Sequence, residues 1–242
     1  ITIPTQNIGT FNAVVDWGDS SPLETITTYN GFSHVYEYIG DHTISITGTF
    51  PNIYSYLAAD RLKIKKVLNL GTVGWTTLLN GFRGCTNLTE FTGGSTDTSS
   101  VTNMTGVFDG CNGLTTIDLS AFNTSSVADV SYMFRNCSGL TSLDVSSFDT
   151  SSVTNMFFMF ISCTNLTSLN VSSFVTTSVT NMGYTFFNCQ ALTSIVGVED
   201  FDITGLNSTG DLNNFLTAGK MTTAQYDNLL VKWEAQASGI QP

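Results

Sequence analysis

Residues 140–165 read LTSLDVSSFDTSSVTNMFFMFISCTN, and this stretch decides the fold because its pattern recurs along the chain. Cysteines follow one another at an interval of 26 residues, and phenylalanines and leucines keep that interval three positions before and after them. The three ladders are Cys85, Cys111, Cys137, Cys163 and Cys189; Phe82, Phe108, Phe134, Phe160 and Phe186; and Leu88, Leu114, Leu140, Leu166 and Leu192. A fixed period of this length predicts stacked units, each of which buries its apolar face against its neighbours.

Each unit contains two periodicities. Leu143 and Val145 alternate with polar residues, as a short strand with one buried face does. Val153, Met156 and Phe160 then follow at spacings of three and four, which favours one face of a short helix. Every unit is therefore predicted to contain a strand, a turn and a short helical coil.

These units predict an α/β repeat fold. We expect a right-handed solenoid of about five coils between Trp75 and Ile195, with parallel strands. A small β N-terminal cap and a C-terminal capping helix would cover its ends, since exposed solenoid ends aggregate. The predicted division is a β segment over 1–50, a junction with an entry strand over 51–74, the solenoid over 75–210 and a C-terminal cap over 211–242.

The repeat resembles a known family. The pattern L-x-x-(I/L)-x-(L/V), followed by a phenylalanine, DTSSVTNM and an Asn-Cys or Ser-Cys pair, is similar to the BspA-like leucine-rich repeat of bacterial surface proteins. The resemblance implies a solenoid with a binding or adhesive role. Phe122, Phe148 and Phe174 stand where common leucine-rich repeats place an asparagine ladder, so we expect stacked aromatic rings to hold that turn.

The N-terminal segment carries a second resemblance. VDWGDSS at 15–21 and HVYEYIGDHTISITG at 34–48 resemble the PKD-like domain of extracellular proteins, which is a β-sandwich. Segments rich in β-branched and aromatic residues predict strands over 1–5, 11–17, 24–29 and 42–49. At the other end, residues 221–236 predict an amphipathic helix with a capping box formed by Thr222 and Gln225.

Composition restricts the partners. The formal net charge is -11, and only 11% of the 242 residues are charged. Such a surface repels nucleic acid and anionic membranes, and it suits a protein or glycan on another surface. There is no transmembrane run, and Ile1 opens the chain without a signal sequence, so we expect a mature or excised piece of a longer protein. Assembly into a homo-oligomer or a larger structure is left open.

The sequence offers little catalytic chemistry. His34 and His42 lie in strand-like context and are interpreted as structural, and no cysteine stands with a histidine at zinc spacing. The five cysteines are interpreted as free, buried core thiols, because parallel side chains one coil apart exceed the ~3.8 Å between Cβ atoms that a disulfide prefers. Asp16 and Asp19 favour a structural turn, with a calcium site as the alternative. We therefore expect no enzyme, no cofactor and no metal.

Two sets of residues are candidate binding surfaces. Asp118, Asp144 and Asn170 occupy the outward position of successive strands and would form a short polar ladder. A second set, Tyr132, Phe158 and Tyr184, recurs in one slot of the helical coils and supplies aromatic anchors.

Three functions remain open at this stage. The first is a non-catalytic, extracellular surface-binding or adhesion module, displayed on a cell or virion surface. The second is a structural component of a phage virion, fibre or extracellular filament. The third is an ice- or crystal-face binder that would use the regularly spaced Thr124, Thr150 and Thr176. Flanking sequence would separate the first two.

Overall fold

The structure is a computed structural model that describes residues 1–29, 32–56, 58–206, 212–216 and 222–237. Its ten short strands and one α-helix occur in chain order. They are β1 Thr2–Ile3, β2 Asn12–Asp16, β3 Glu24–Ile26, β4 Phe32–Ser33, β5 Ser45–Thr49, β6 Lys66–Val67, β7 Glu90–Thr92, β8 Thr116–Asp118, β9 Ser168–Asn170, β10 Ser194–Val196 and α1 Thr223–Ala237. Single 3-10 turns lie at Ala59–Lys63 and Val198–Asp200.

The N-terminal segment is an antiparallel β element, as predicted. Strand β2 lies between β3 and β5, and β1 pairs with β4. Ala13 and Val15 are buried and alternate with exposed positions, which gives β2 one core-facing side. Phe50 connects this element to the first coil, because its amide donates to the Val73 carbonyl and its ring lies 6.1 Å from that of Trp75.

The repeats form a stack of coils joined by parallel pairing. Strands β6, β7 and β8 pair in parallel, and so do β9 and β10. The parallel strands predicted around Ile117 and Leu169 are therefore confirmed. The strand predicted around Leu143 is wrong, since 142–144 are not assigned to a strand and the sheet is divided there; nothing in the structure explains the break.

The predicted helical coils are wrong, because residues 75–195 contain no helix and each coil instead makes a series of tight turns. Alternate amides leave their own coil: Phe134 N donates to the Met159 carbonyl of the next coil at 2.9 Å, whereas Cys137 N donates to Phe134 within its own coil. Tyr132 and Asn136 both have φ of 59°, and a helix cannot pass through two left-handed residues. Isolated parallel bridges such as Asp129 with Asn155 continue this pattern across the stack.

The core consists of the predicted ladders. Successive rings of Phe82, Phe108, Phe134, Phe160 and Phe186 stack with centroids 6.0, 5.7, 5.6 and 5.4 Å apart, and all five are buried. All five cysteines are buried free thiols. Cys137 Sγ donates to the Phe108 carbonyl at 3.1 Å, and the thiols of Cys111, Cys163 and Cys189 make the same bond to the preceding coil. The predicted buried thiol ladder is confirmed.

A buried threonine ladder holds the turn after the strand. Thr124 Oγ1 donates to the Asp149 carbonyl at 2.9 Å and accepts from the Asp149 amide at 2.8 Å. Thr98, Thr150 and Thr176 make the same pair of bonds to the coil that follows. These hydroxyls therefore join neighbouring coils at the turn that stacked aromatic rings are predicted to hold.

Two expectations at this turn are corrected. Among the described ring contacts, Phe122 and Phe148 do not stack on one another, although both are buried, and Phe174 stacks only on Phe201 at 6.3 Å. The aromatic side chains fill the turn, but the threonine hydroxyls bridge it. The threonine array is buried rather than displayed, so the ice-binding hypothesis loses its surface.

The predicted C-terminal helix is confirmed as α1, although Met221 lies outside the described residues. Thr222 and Gln225 form the predicted capping box, with Thr222 N donating to Gln225 Oε1 at 3.0 Å. Leu229 is buried, and the Trp233 ring lies 5.3 Å from Phe215. The helix thereby packs against the residues that follow the last repeat. The predicted division into four segments stays a prediction, and residues 211, 217–221 and 238–242 lie outside the described residues.

Candidate functional site

The strand-face ladder is exposed as predicted, but its polar groups also shape the backbone. Oδ1 of Asp118 accepts the Ser120 amide at 3.0 Å and the Ser120 hydroxyl at 2.7 Å. Asp144 and Asn170 accept the amide two residues on in the same way. The hydrogen bonds from the Ser120 side chain and amide lower the pKa of Asp118, and those from Ser146 lower the pKa of Asp144. These residues are turn formers as well as surface groups.

This geometry predicts different outcomes for two double variants. Asp118→Ala with Asp144→Ala removes two turn-forming acceptors and should lower the free energy of unfolding by roughly 1 kcal/mol per site. Asp118→Asn with Asp144→Asn keeps an acceptor that Asn170 already uses at the equivalent position, and it should leave stability nearly unchanged. Urea unfolding measures both. Equal destabilisation by the two double variants would contradict the turn-forming role.

The three aromatic anchors predicted from the repeat slot lie together, and two further rings join them. The aromatic patch is defined as Tyr132, Phe157, Phe158, Tyr184 and Phe187, all half-buried. The Phe158 ring lies 5.2 Å from Tyr132 and 4.9 Å from Tyr184, and Phe157 contacts both tyrosines. Phe187 lies 5.5 Å from Tyr184. One apolar surface therefore crosses three successive coils.

The backbone under the patch makes these aromatic residues unexpected. Tyr132, Phe158 and Tyr184 have φ of 59°, 60° and 57°, the left-handed region that suits glycine or asparagine. The first two coils place Asn80 and Gly106 in this slot, with φ of 52° and 61°. A bulky side chain in this region costs of order 1 kcal/mol, and such strain concentrates at functional sites. Coil formation therefore does not require an aromatic residue in this slot.

A charged cluster continues the patch toward the first coil. Asp109, which is 2% exposed, lies between two arginines: Arg135 contacts it through Nε at 2.7 Å and Nη2 at 2.9 Å, and Arg83 through Nε at 2.9 Å. The hydrogen bond to Asp109 raises the pKa of Arg135. Arg135 Cζ lies 5.1 Å from the Tyr132 ring, and Arg83 Cζ lies 4.0 Å from the Tyr56 ring. Aromatic and guanidinium groups thus form one continuous surface.

The sequence missed Phe157, Phe187 and this cluster for one reason. Each occupies a slot whose residue type changes from coil to coil: Phe157 follows Ser131, and Phe187 follows Asp109, Arg135 and Ile161. A repeat search emphasises what recurs. The signal that could have found them is a large residue at a repeat position where earlier coils place a small or polar one.

The other candidate groups have structural roles. Asp16 and Asp19 accept the amides of Gly18 and Ser21, which confirms the structural turn. His34 Nε2 lies 2.7 Å from Asp19 Oδ2, and hydrogen bonds from Ser21 and then His34 lower the pKa of Asp19. The strand-like context predicted for the histidines is confirmed for His34, whose amide donates to the Ile1 carbonyl at 2.8 Å beside the β1–β4 pair, and is wrong for His42. His34 directly follows β4 and stacks on Trp17 at 4.9 Å, while His42 lies in a loop before β5.

The thiols are buried away from any reactant. Burial raises the pKa of Cys85 to about 11 and of Cys189 to about 12. Burial also raises the pKa of Cys137 well above its ordinary value. Within the described ranges, no three His, Cys, Asp or Glu side chains converge to hold a metal ion. Those ranges also contain no helix that is both long and apolar enough to cross a membrane.

Comparisons with known proteins found one matching family and two similar solved structures. The family described as "Mycoplasma protein of unknown function, DUF285" matches residues 76–198, just over half of the chain. A leucine-rich repeat protein of T. pallidum shares 18% identity over 56% of this chain and 70% of its own, with a TM-score of 0.38. A leucine-rich repeat protein from Bacteroides ovatus ATCC 8483 shares 15% identity over 77% of this chain and 55% of its own, also at 0.38. No curated protein matches the chain.

These structural neighbours are leucine-rich repeat proteins, and both likenesses are distant. The BspA-like and PKD-like resemblances stay predictions, because none of these matches bears on them.

Proposed function

The chain belongs to the family described as "Mycoplasma protein of unknown function, DUF285", and from its surface we propose that it is a non-catalytic protein-binding module whose contact site is the aromatic patch. In its finer form, the proposal is that the chain folds as a right-handed, BspA-like leucine-rich-repeat solenoid with a PKD-like N-terminal segment. It would be displayed outside the cell, where it attaches to protein on another surface.

One observation carries the proposal: five half-buried aromatic rings adjoin one another on three coils, and three of them, Tyr132, Phe158 and Tyr184, stand where the backbone favours asparagine or glycine. Tyrosine and arginine are enriched among residues that dominate binding energy, and clustered rings lose little side-chain entropy on binding. The strand face offers serine, threonine and Asp118, Asp144 and Asn170, which are small and poorly suited to anchor a protein.

The surroundings of the thiols and histidines support binding rather than catalysis. The thiols, which are the strongest nucleophiles of the chain, are buried with raised pKa values. Both histidines stack on aromatic rings of the N-terminal element, His34 on Trp17 and His42 on Tyr36 at 3.9 Å. A repeat stack devotes its residues to an extended surface, and here that surface carries the apolar patch.

The test uses substitutions that the repeat itself supplies. Phe158→Asn with Tyr184→Asn introduces a residue that Asn80 already places in this left-handed slot, so the coil should keep its stability while the patch loses two rings. Proteins retained by the immobilised wild-type chain are purified, and their affinities for the wild type and for this variant are measured by calorimetry. We expect the double variant to bind at least about 100-fold more weakly, as for hot-spot residues.

The strand face supplies the matched control. Asp118→Asn with Asp144→Asn keeps the turns and should bind a purified partner with wild-type affinity. A partner that binds the aromatic variant as tightly as the wild type, and loses affinity for the strand-face variant, would transfer the site to the strand ladder and overturn the proposal.

A further inference from the structure

The charged cluster beside the aromatic patch borders a pocket. Tyr56, Arg61, Arg83, Asp109 and Arg135 line an open cavity of about 220 Å³. Arg61 reaches it across Gly84, where a Cβ would lie 2.8 Å from Arg61 Nε. Three arginines, one from the 3-10 turn at Ala59–Lys63, one from the first coil and one from the third, therefore meet at one place.

The pocket carries more positive charge than its own structure needs. Asp109 is the one carboxylate in the lining, and Arg135 already contacts both of its oxygens. Arg83 and Arg61 leave an excess of two positive charges in a chain whose formal net charge is -11. Like charges held in a shared pocket repel one another, so an anion from outside would be favoured.

The guanidinium groups also keep donors available. Each carries five N–H groups. Within the described contacts, Arg135 uses two on Asp109, Arg83 uses one on Asp109 and one on Asn80, and Arg61 uses one on the Ala58 carbonyl. The rings of Tyr56 and Tyr132 hold Arg83 and Arg135 from one side. Oriented guanidinium groups with open donors match the two oxygens of a carboxylate.

We infer that this pocket binds the carboxylate of a partner protein, an aspartate or glutamate side chain whose apolar neighbours lie on the aromatic patch. Arg135 contacts Tyr132, a member of the patch, so a short acidic and aromatic segment would reach both surfaces. The inference rests on the proposed function and adds the partner's chemistry to it. The net negative charge of this chain disfavours such a partner over much of its surface, whereas the pocket attracts it.

The experiment titrates the full chain, labelled with ¹⁵N, with two capped peptides, acetyl-Gly-Glu-Leu-Phe-Gly-amide and its glutamine counterpart, and separately with sodium phosphate. The readout is the arginine Nε–H resonances. We expect the glutamate peptide to shift the resonances of Arg61, Arg83 and Arg135 and to bind at least about 10-fold more tightly than the glutamine peptide. Raising the salt concentration should reduce this difference.

Two variants separate the pocket from charge in general. Arg61→Gln removes one pocket arginine and leaves the ion pairs of Asp109 with Arg83 and Arg135 intact. This variant should bind the glutamate peptide only as tightly as it binds the glutamine peptide. Lys65→Gln removes an exposed cation outside the pocket and should change neither affinity.

Equal binding of the two peptides, binding of neither, or a response to phosphate at lower concentration than to the glutamate peptide would overturn the inference. If both peptides bind equally and Phe158→Asn with Tyr184→Asn abolishes that binding, the patch proposal stands and the carboxylate pocket fails. If a purified partner binds the patch variant as tightly as the wild type, the proposed function itself fails.

Discussion

Replacing Phe134 with alanine should lower the free energy of unfolding by about 3 to 5 kcal/mol, the cost of a large deletion in a packed core. Its ring is fully buried between Phe108 and Phe160, with centroids 5.7 and 5.6 Å away at interplanar angles of 13° and 2°. The deletion creates a void in the middle of the ladder. Both neighbouring coils lose their contact at once, because each unit of a stack is stabilised by the next.

Phe157→Ala is the matched control, since it removes the same ring from a half-buried position on the neighbouring coil. Urea unfolding should show a loss of roughly 1 kcal/mol for it. A loss below about 1.5 kcal/mol for Phe134→Ala, or equal losses for the two variants, would contradict a continuous phenylalanine core.

Replacing both Thr124 and Thr150 with valine should cost about 2 to 5 kcal/mol, although valine has nearly the same shape. Each hydroxyl accepts a hydrogen bond from an amide of the next coil and donates one to a carbonyl there, at 2.8 to 2.9 Å. Both threonines are buried, so valine leaves a donor and an acceptor unsatisfied at each site without water to replace the lost bond.

Thr154→Val with Thr180→Val provides the control at the same spacing. These threonines are exposed, and their hydroxyls donate to carbonyls of the preceding coil at 3.2 Å, where water can replace them. Thermal or urea unfolding should show a change within about 0.5 kcal/mol. If the buried pair cost no more than the exposed pair, the threonine ladder would not join the coils.

The recurring parts of the fold could be predicted from the sequence. Phe134 and Cys137 stand at positions that repeat every 26 residues, and a residue that recurs in a stack is buried against its own copies. The C-terminal helix could be predicted equally well, because the capping box of Thr222 and Gln225 is a local signal that needs no other part of the chain.

The conformation of the coil could not be predicted in this way. Spacings of three and four, as in Val153, Met156 and Phe160, fit a helix and a series of tight turns equally well. The difference is whether an amide bonds within its own segment or to the next coil, and that partner lies about 25 residues away. For the same reason, the local pattern does not reveal that the Thr150 hydroxyl bonds to the Val175 carbonyl in the following coil.

Only half of the candidate site could be predicted from the sequence. Tyr132, Phe158 and Tyr184 share a slot, so their meeting followed from the repeat. The meeting of Arg83 and Arg135 around Asp109 depends on charges changing sign between coils in a single slot, which a search for constant features discards.

The central claim is that the aromatic patch is the contact surface, and hydroxyl-radical footprinting of the chain with a purified partner tests it most directly. The account predicts that saturating partner lowers the oxidation rates of Tyr132, Phe158 and Tyr184, while Tyr38 and Tyr226, which are 74% and 47% exposed outside the patch, keep theirs. Unchanged oxidation of the patch rings in the saturated complex would contradict it.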